Sequence, residues 1–112
     1  DRGYDETTPL GLSWAGFIDV DTAYAWDPGD EGFTDDELLG VEAPLWTETI
    51  ASEDDLEYMA YPRLLGYAEI GWSPRDARNW DDYRTRLAAH GPRLTDLGVG
   101  FHASDVVDWP SS

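Results

Sequence analysis

A short segment of the chain places two carboxylates and an indole on one face. Residues 40–48 read Gly-Val-Glu-Ala-Pro-Leu-Trp-Thr-Glu, an apolar stretch typical of a β-strand. Because side chains alternate along a strand, Glu42, Pro44, Trp46 and Glu48 point to the same side. An indole stacks on the C–H face of a sugar ring, and a carboxylate accepts hydrogen bonds from sugar hydroxyls. The segment therefore favours carbohydrate binding, with an edge strand that has an exposed polar face as the alternative.

The two carboxylates of this segment are too far apart to act as an acid and base pair. Six residues of strand separate Glu42 from Glu48, which corresponds to roughly 20 Å. The paired carboxylates of glycosidases lie about 5–10 Å apart. The segment therefore predicts sugar binding and not the catalytic step itself.

Motifs on both sides of the segment complete a family pattern. They are Gly-Leu-Ser-Trp-Ala-Gly at 11–16, Tyr-Pro-Arg at 61–63 and Ala-Glu-Ile-Gly-Trp-Ser at 68–73. With Gly-x-Glu-Ala-x-Leu-Trp-x-Glu between them, the chain resembles the C-terminal part of the catalytic domain of glycoside hydrolase family 20, the β-N-acetylhexosaminidases. The resemblance extends over nearly all of the chain and is strongest to actinobacterial members.

The resemblance implies an α/β fold, the (β/α)₈ or TIM barrel. Such barrels need about 250 residues, whereas this chain has 112 and forms one domain at most. We therefore expect the C-terminal part of a barrel, about strands 7–8 with their helices, which is helix-rich if taken alone. The expected organisation is the end of strand 7 with a loop and short helices over 1–40, strand 8 over 41–48, C-terminal helices over 53–98, and a tail over 99–112.

Local signals place several helix starts. Thr34 followed three residues later by Glu37 predicts a capping box, and Gly40 is suited to end that short helix. Ser52 with Asp55 predicts the start of a second helix, and Asn79 predicts the start of a last helix from about Trp80. An earlier short helix is expected within residues 18–26, with Val20, Ala23 and Tyr24 on one side.

Prolines predict interruptions. Pro44 argues against a full hydrogen-bond ladder on both sides of its strand. Pro62 should kink or restart its helix, and Gly91-Pro92 should break the apolar stripe of the last helix.

The resemblance implies the activity of a β-N-acetylhexosaminidase, which removes terminal N-acetylglucosamine or N-acetylgalactosamine from glycoconjugates or chitin oligosaccharides with retention of configuration. In the family, the 2-acetamido oxygen of the substrate attacks the anomeric carbon, and an Asp-Glu dipeptide after strand four assists it. No matching dipeptide segment occurs here, so no catalytic residue is expected in this chain. The remainder of the barrel is the expected partner, no metal or cofactor is implied, and a secreted or extracellular location is implied.

The resemblance also assigns substrate-binding residues. Trp46 would form one wall of the pocket, Glu48 would accept hydrogen bonds chiefly from the 4-OH, and Trp14 and Asp1 would lie near the 6-OH. The alternatives are a barrel-filling indole, a solvated carboxylate, a loop residue that covers the core, and a plain terminus. Glu42 is expected to be structural, buried in the barrel with Arg63 as its candidate partner, because a buried unpaired carboxylate is costly.

Charge excludes some partners and leaves a second hypothesis. With 24 acidic and seven basic residues, the formal charge is −17, which disfavours nucleic acid and anionic membrane surfaces. His90 and His102 lack metal-ligand spacing and are expected to be surface or satisfied histidines. The second hypothesis is a non-catalytic, acidic carbohydrate-binding or interaction module that stacks ligands on Trp14, Trp46 and Trp109.

Overall fold

Helices carry the regular structure of residues 2–111, which are the residues that the computed structural model describes. Within that range the α-helices are α1 (Val20–Tyr24), α2 (Glu53–Ala60), α3 (Arg63–Trp72) and α4 (Trp80–Asp96). Single 3₁₀ turns occupy Ser13–Ala15, Pro28–Glu31, Asp35–Glu37 and Arg75–Ala77. The predicted helix-rich character is confirmed.

The predicted caps of the longer helices are confirmed. The side chain of Ser52 accepts a hydrogen bond from the Asp55 N–H at 3.1 Å and begins α2. The Asn79 side chain does the same for the Asp82 N–H at 3.0 Å and begins α4. In both helices, first-turn carboxylates also stabilise the positive end of the helix dipole.

The capping box at Thr34 and Glu37 forms, but the helix behind it is a single 3₁₀ turn. The turn ends at Leu38, whose backbone is extended, so the prediction that Gly40 ends the helix was wrong. The turn consists of three adjacent carboxylates, and a one-turn helix without a buried apolar face has little to propagate it.

One proline ends a helix and the other does not. α2 ends at Ala60 and α3 begins directly after Pro62, as predicted. α4 runs unbroken through Pro92, so Gly91-Pro92 interrupts only the apolar stripe of this helix and not the helix itself. The residue before this proline is Gly91, which has no Cβ to collide with the proline ring. Gly91 also admits the Trp109 indole, since a Cβ there would lie 3.0 Å from the Trp109 ring.

Residues 41–48, here called the site segment, contain no β-strand, and none occurs elsewhere in residues 2–111. Strand 8 was predicted here. A strand needs a neighbour that accepts and donates its ladder hydrogen bonds, and the described residues offer none, so the assignment stays a prediction for the larger barrel. The segment lies against α3, because a Cβ on Gly71 would come within 3.0 Å of the Val41 side chain.

A buried aromatic cluster holds the helices together. Its members, here called the aromatic core, are Tyr4, Val20, Tyr24, Tyr83, Leu87 and Val107. The rings of Tyr24 and Tyr83 stack in parallel with centroids 4.1 Å apart. The tail contributes Val107, and its Ser104 hydroxyl donates to the Asp19 carboxylate at 2.6 Å, which fastens the tail to the start of α1.

Candidate functional site

A cavity of about 1000 Å³ opens beside the site segment. Its walls come from the site segment, from the loop that precedes α1, and from α1, α2 and α3. Trp14, Trp46 and Glu48 all line it, so the structure brings three of the four predicted binding residues to one cavity. Asp1, the fourth, lies outside the described residues.

The two predicted tryptophans present their rings to the open space. Trp14 is 84% exposed and Trp46 is 64% exposed. Deeper in the cavity, Trp26 meets Tyr67 edge to face at a centroid distance of 6.3 Å, and the Trp26 indole N–H donates to the Glu31 carboxylate at 3.1 Å. Exposed indoles beside fixed aromatic rings form a surface suited to stacking on the apolar face of a ring-shaped ligand.

The acidic residues of the cavity wall differ from expectation at one position. Glu48 is exposed at the cavity wall. Glu42, predicted to be buried, is also exposed. The physical reason is that the described residues place no second layer over the site segment, so Glu42 is not removed from water in this structure.

Arg63, the predicted partner of Glu42, donates hydrogen bonds to main-chain oxygens. It is 7% exposed. Its Nη1 donates to the carbonyl of Arg2 at 2.7 Å and to that of Ile18 at 3.2 Å, and its Nη2 donates to the carbonyl of Met59 at 2.6 Å. Its Cζ atom lies 4.0 Å from the centre of the Tyr4 ring. Sequence reasoning identified this arginine but missed its contacts, because the Arg2 and Ile18 carbonyls lie 61 and 45 residues away.

Behind the cavity, Glu69 joins three helices. Its carboxylate accepts from the Tyr24 hydroxyl and from Arg86 Nη1, both at 2.5 Å. Burial opposes ionisation, but the hydrogen bonds from Arg86 and Tyr24 outweigh it and hold the pKa of Glu69 below its usual value. Burial, with the neighbouring Glu69 carboxylate, raises the pKa of Tyr24 to about 12. These contacts support a structural role for Glu69.

A second ion pair fixes the turn that follows Trp26. Asp27 pairs with Arg78 and lies 3.6 Å from Arg75 Nε. Burial raises the pKa of Asp27, but the Gly29 N–H and the two guanidinium groups more than offset this and leave the pKa below its usual value. The pair therefore ties the wall that contains Trp26 to the turn before α4.

Neither histidine lines the cavity, and Trp109 does not line it either. His90 is exposed, whereas His102 stacks on Tyr4 at 4.1 Å, and burial lowers the pKa of its imidazole. Its Nε2 is buried without a hydrogen-bond partner in the described structure, so the prediction of a satisfied histidine was wrong for this atom. Trp109 packs on Phe101 and donates its N–H to the Ser104 carbonyl at 2.9 Å, so it does not join a stacking platform with Trp14 and Trp46.

Residues 2–111 show neither a metal-binding cluster nor a membrane-spanning helix. No group of three or more His, Cys, Asp or Glu side chains is arranged to hold a metal ion. None of the helices in this range has the length and apolar character needed to cross a membrane.

A comparison with protein families decides the relationship of the chain. Residues 1–75 match the model of the glycosyl hydrolase family 20 catalytic domain. The chain belongs to glycoside hydrolase family 20. The match includes the Trp14 motif, the site segment and α3, and the predicted resemblance is confirmed.

Individual relatives agree with this assignment over the rest of the chain. A β-N-acetylhexosaminidase of Cellulomonas fimi is 43% identical over 98% of this chain and 23% of its own length. The solved N-acetyl-β-hexosaminidase of Streptomyces plicatus is 50% identical with a TM-score of 0.92, and covers 98% of this chain and 22% of its own. The family 20 β-N-acetylhexosaminidase of Streptomyces coelicolor is 46% identical with a TM-score of 0.92, over 98% and 23%. This chain therefore adopts the fold of the C-terminal part of a family 20 barrel, and spans under a quarter of these relatives.

Proposed function

We propose that the protein containing this chain is a β-N-acetylhexosaminidase that hydrolyses terminal N-acetylhexosamine residues of glycans or chitin oligosaccharides. The observation that carries the proposal is the convergence of Trp14, Trp46 and Glu48 on one cavity in a chain of family 20. A mutant of the Streptomyces plicatus enzyme has been solved with its product, GlcNAc, and that chain is 50% identical to this one.

In this proposal the chain supplies residues that bind the sugar. Trp46 packs against the ring or its acetamido methyl, Glu48 accepts hydrogen bonds from ring hydroxyls, and Trp14 closes the side near the 6-OH, where Asp1 is also proposed to bind. The carboxylic acid pair that assists the acetamido group comes from the remainder of the barrel, so this chain alone is inactive. Holding the sugar accurately matters because its own acetamido oxygen is the nucleophile, and displacement by about 1 Å costs on the order of a hundredfold in rate.

The activity is tested with the complete protein and two aryl glycosides. We expect hydrolysis of 4-nitrophenyl N-acetyl-β-glucosaminide and no measurable hydrolysis of 4-nitrophenyl β-glucoside, because the second substrate lacks the nucleophilic acetamido group. Equal hydrolysis of both would contradict a substrate-assisted mechanism. Hydrolysis of neither would overturn the proposed function.

The role of Glu48 is tested in the same assay. Glu48→Gln keeps the shape of the side chain but removes its charge, and a hydrogen bond to a charged group contributes about 1.5–3 kcal/mol. We expect kcat/KM to fall roughly 10- to 150-fold. Asp36→Asn makes the same charge change on an exposed residue that does not line the cavity, and should leave kcat/KM unaltered. Unchanged kinetics for Glu48→Gln would remove Glu48 from the site.

A further inference from the structure

Trp14 lies at the tip of a loop that determines where its indole stands. Residues 2–18, here called the Trp14 loop, begin and end side by side, since the Ile18 N–H donates to the Gly3 carbonyl at 2.9 Å. The 3₁₀ turn Ser13–Ala15 at the tip has no buried residue. An indole that is 84% exposed is not held by its own surroundings. Its position relative to Trp46 and Glu48 therefore depends on the anchors of the loop.

Arg63 anchors the base of the loop. One guanidinium nitrogen, Nη1, bonds the carbonyls of Arg2 and Ile18, which are the two ends of the loop, while Nε and Nη2 bond the Met59 carbonyl in α2. A guanidinium presents its donors in a rigid planar fork, whereas a lysine ammonium is a compact point charge. Arginine thus fixes both ends of the loop to α2 in one geometry that lysine does not reproduce.

Thr49 anchors the side of the loop. Its hydroxyl oxygen accepts from the Gly11 N–H at 2.8 Å, across 38 residues of sequence. Thr49 directly follows Glu48, so this single bond ties the loop to the end of the site segment. The loop is then fixed at its base to the helices and at its side to the segment that carries Trp46 and Glu48.

We propose that Arg63 and Thr49 are positioning residues that hold the Trp14 loop against the site segment, so that Trp14, Trp46 and Glu48 meet a single sugar ring. The proposal rests on the proposed function of this cavity and assigns roles that act through the loop. Loosening either anchor leaves Trp14 in the protein but removes its contribution to binding and turnover.

The test is a set of double-mutant comparisons in the complete protein with 4-nitrophenyl N-acetyl-β-glucosaminide. Arg63→Lys and Thr49→Val are each measured alone and together with Trp14→Ala. We expect each anchor variant to lower kcat/KM on the order of ten- to a hundredfold. In either anchor background, Trp14→Ala should cost much less than it costs in the unmutated protein, because residues that act as one unit are not additive.

Two controls separate positioning from general destabilisation. Thr49→Ser keeps the accepting hydroxyl and should retain kcat/KM, whereas Thr49→Val does not. Leu94→Ala removes a buried side chain of α4 that does not line the cavity. It should lower stability, while Trp14→Ala keeps its full cost in that background.

The outcomes distinguish this proposal from the proposed function. If Trp14→Ala costs the same factor in all backgrounds, or if Thr49→Val behaves as Thr49→Ser, the positioning roles are overturned while the enzyme remains a hexosaminidase. If Arg63→Lys fails to fold, the Thr49 pair decides. If the unmutated protein hydrolyses no N-acetyl-β-glucosaminide, the proposed function fails and the positioning roles fail with it.

Discussion

The aromatic core and the site segment differ in how far their side chains are buried. In the core, Tyr24 stacks on Tyr83 and bonds Glu69, and Leu87 is 1% exposed, all through contacts within the described residues. In the site segment, Glu42, Trp46 and Glu48 are exposed, and no strand partner lies alongside within residues 2–111. The difference separates a region that stabilises this chain through buried contacts from a segment whose acidic side chains and indole face solvent.

The largest effect on stability should come from a cavity in the aromatic core. Leu87→Ala removes a fully buried side chain and should lower the free energy of unfolding by about 2–5 kcal/mol, measured by urea titration of the complete protein. Because Leu87 does not line the cavity, the KM of the folded variant should not change. A rise in KM comparable to that of Glu48→Gln would break the separation between the two regions.

The next effect depends on pH. Because the pKa of Glu69 is lowered in the folded protein, its stabilisation is present above the pKa of the unfolded chain and is lost as the pH falls through the folded value. Glu69→Gln should therefore cost roughly 1–2 kcal/mol at pH 7, a figure reduced by the half-exposed Arg86. Urea unfolding of both proteins should show this difference shrinking below pH 4.5, the unperturbed pKa. A difference that grows in acid would contradict the sign of the shift.

A smaller effect on stability should distinguish Tyr24 from Tyr83, whose rings stack on each other. Tyr24→Phe removes the donor to Glu69 and should cost about 1 kcal/mol of unfolding free energy. Tyr83→Phe is the matched control, because the Tyr83 hydroxyl is buried without a partner in the described structure. Its removal should be neutral or stabilising. Equal losses in thermal unfolding would show that Tyr83 gains a partner from outside residues 2–111.

The smallest effect on stability should come from the tip of the Trp14 loop. Trp14→Ser changes an exposed side chain and should alter the free energy of unfolding by less than about 0.5 kcal/mol, while kcat/KM falls. A large loss of stability in urea titration would mean that Trp14 is covered by other parts of the protein. It would then belong with the core instead of with the binding surface.

Predictions from sequence succeeded where the cause is local. Ser52 and Asn79 cap their helices through bonds to residues three positions away, and Pro62 separates α2 from α3 by its own covalent structure. The motif around Trp46 and Glu48 was recognisable because its spacing lies within one short segment. The family resemblance then predicted that both residues bind the sugar, and both line one cavity of the structure.

The remaining features depend on residues that are distant in sequence. The hydrogen bonds from Arg63 to the loop ends and between Thr49 and Gly11 join residues 38 to 61 positions apart. No periodic pattern in the sequence indicates such contacts. The continuity of α4 through Pro92 depends on Gly91 and on the indole that packs there. Strand pairing at the site segment was not observed because a ladder requires a neighbouring strand, and the described residues contain none.

The closed base of the Trp14 loop has a consequence for divergence within the family. Since the base of the loop is joined by a hydrogen bond of 2.9 Å and Tyr4 packs its first residues into the core, residues can be gained or lost around the turn Ser13–Ala15 without moving α1 or the core. Such changes would alter only how far Trp14 reaches over the cavity. Loop length is therefore a variable through which the proposed site can change on its 6-OH side, while the scaffold stays the same.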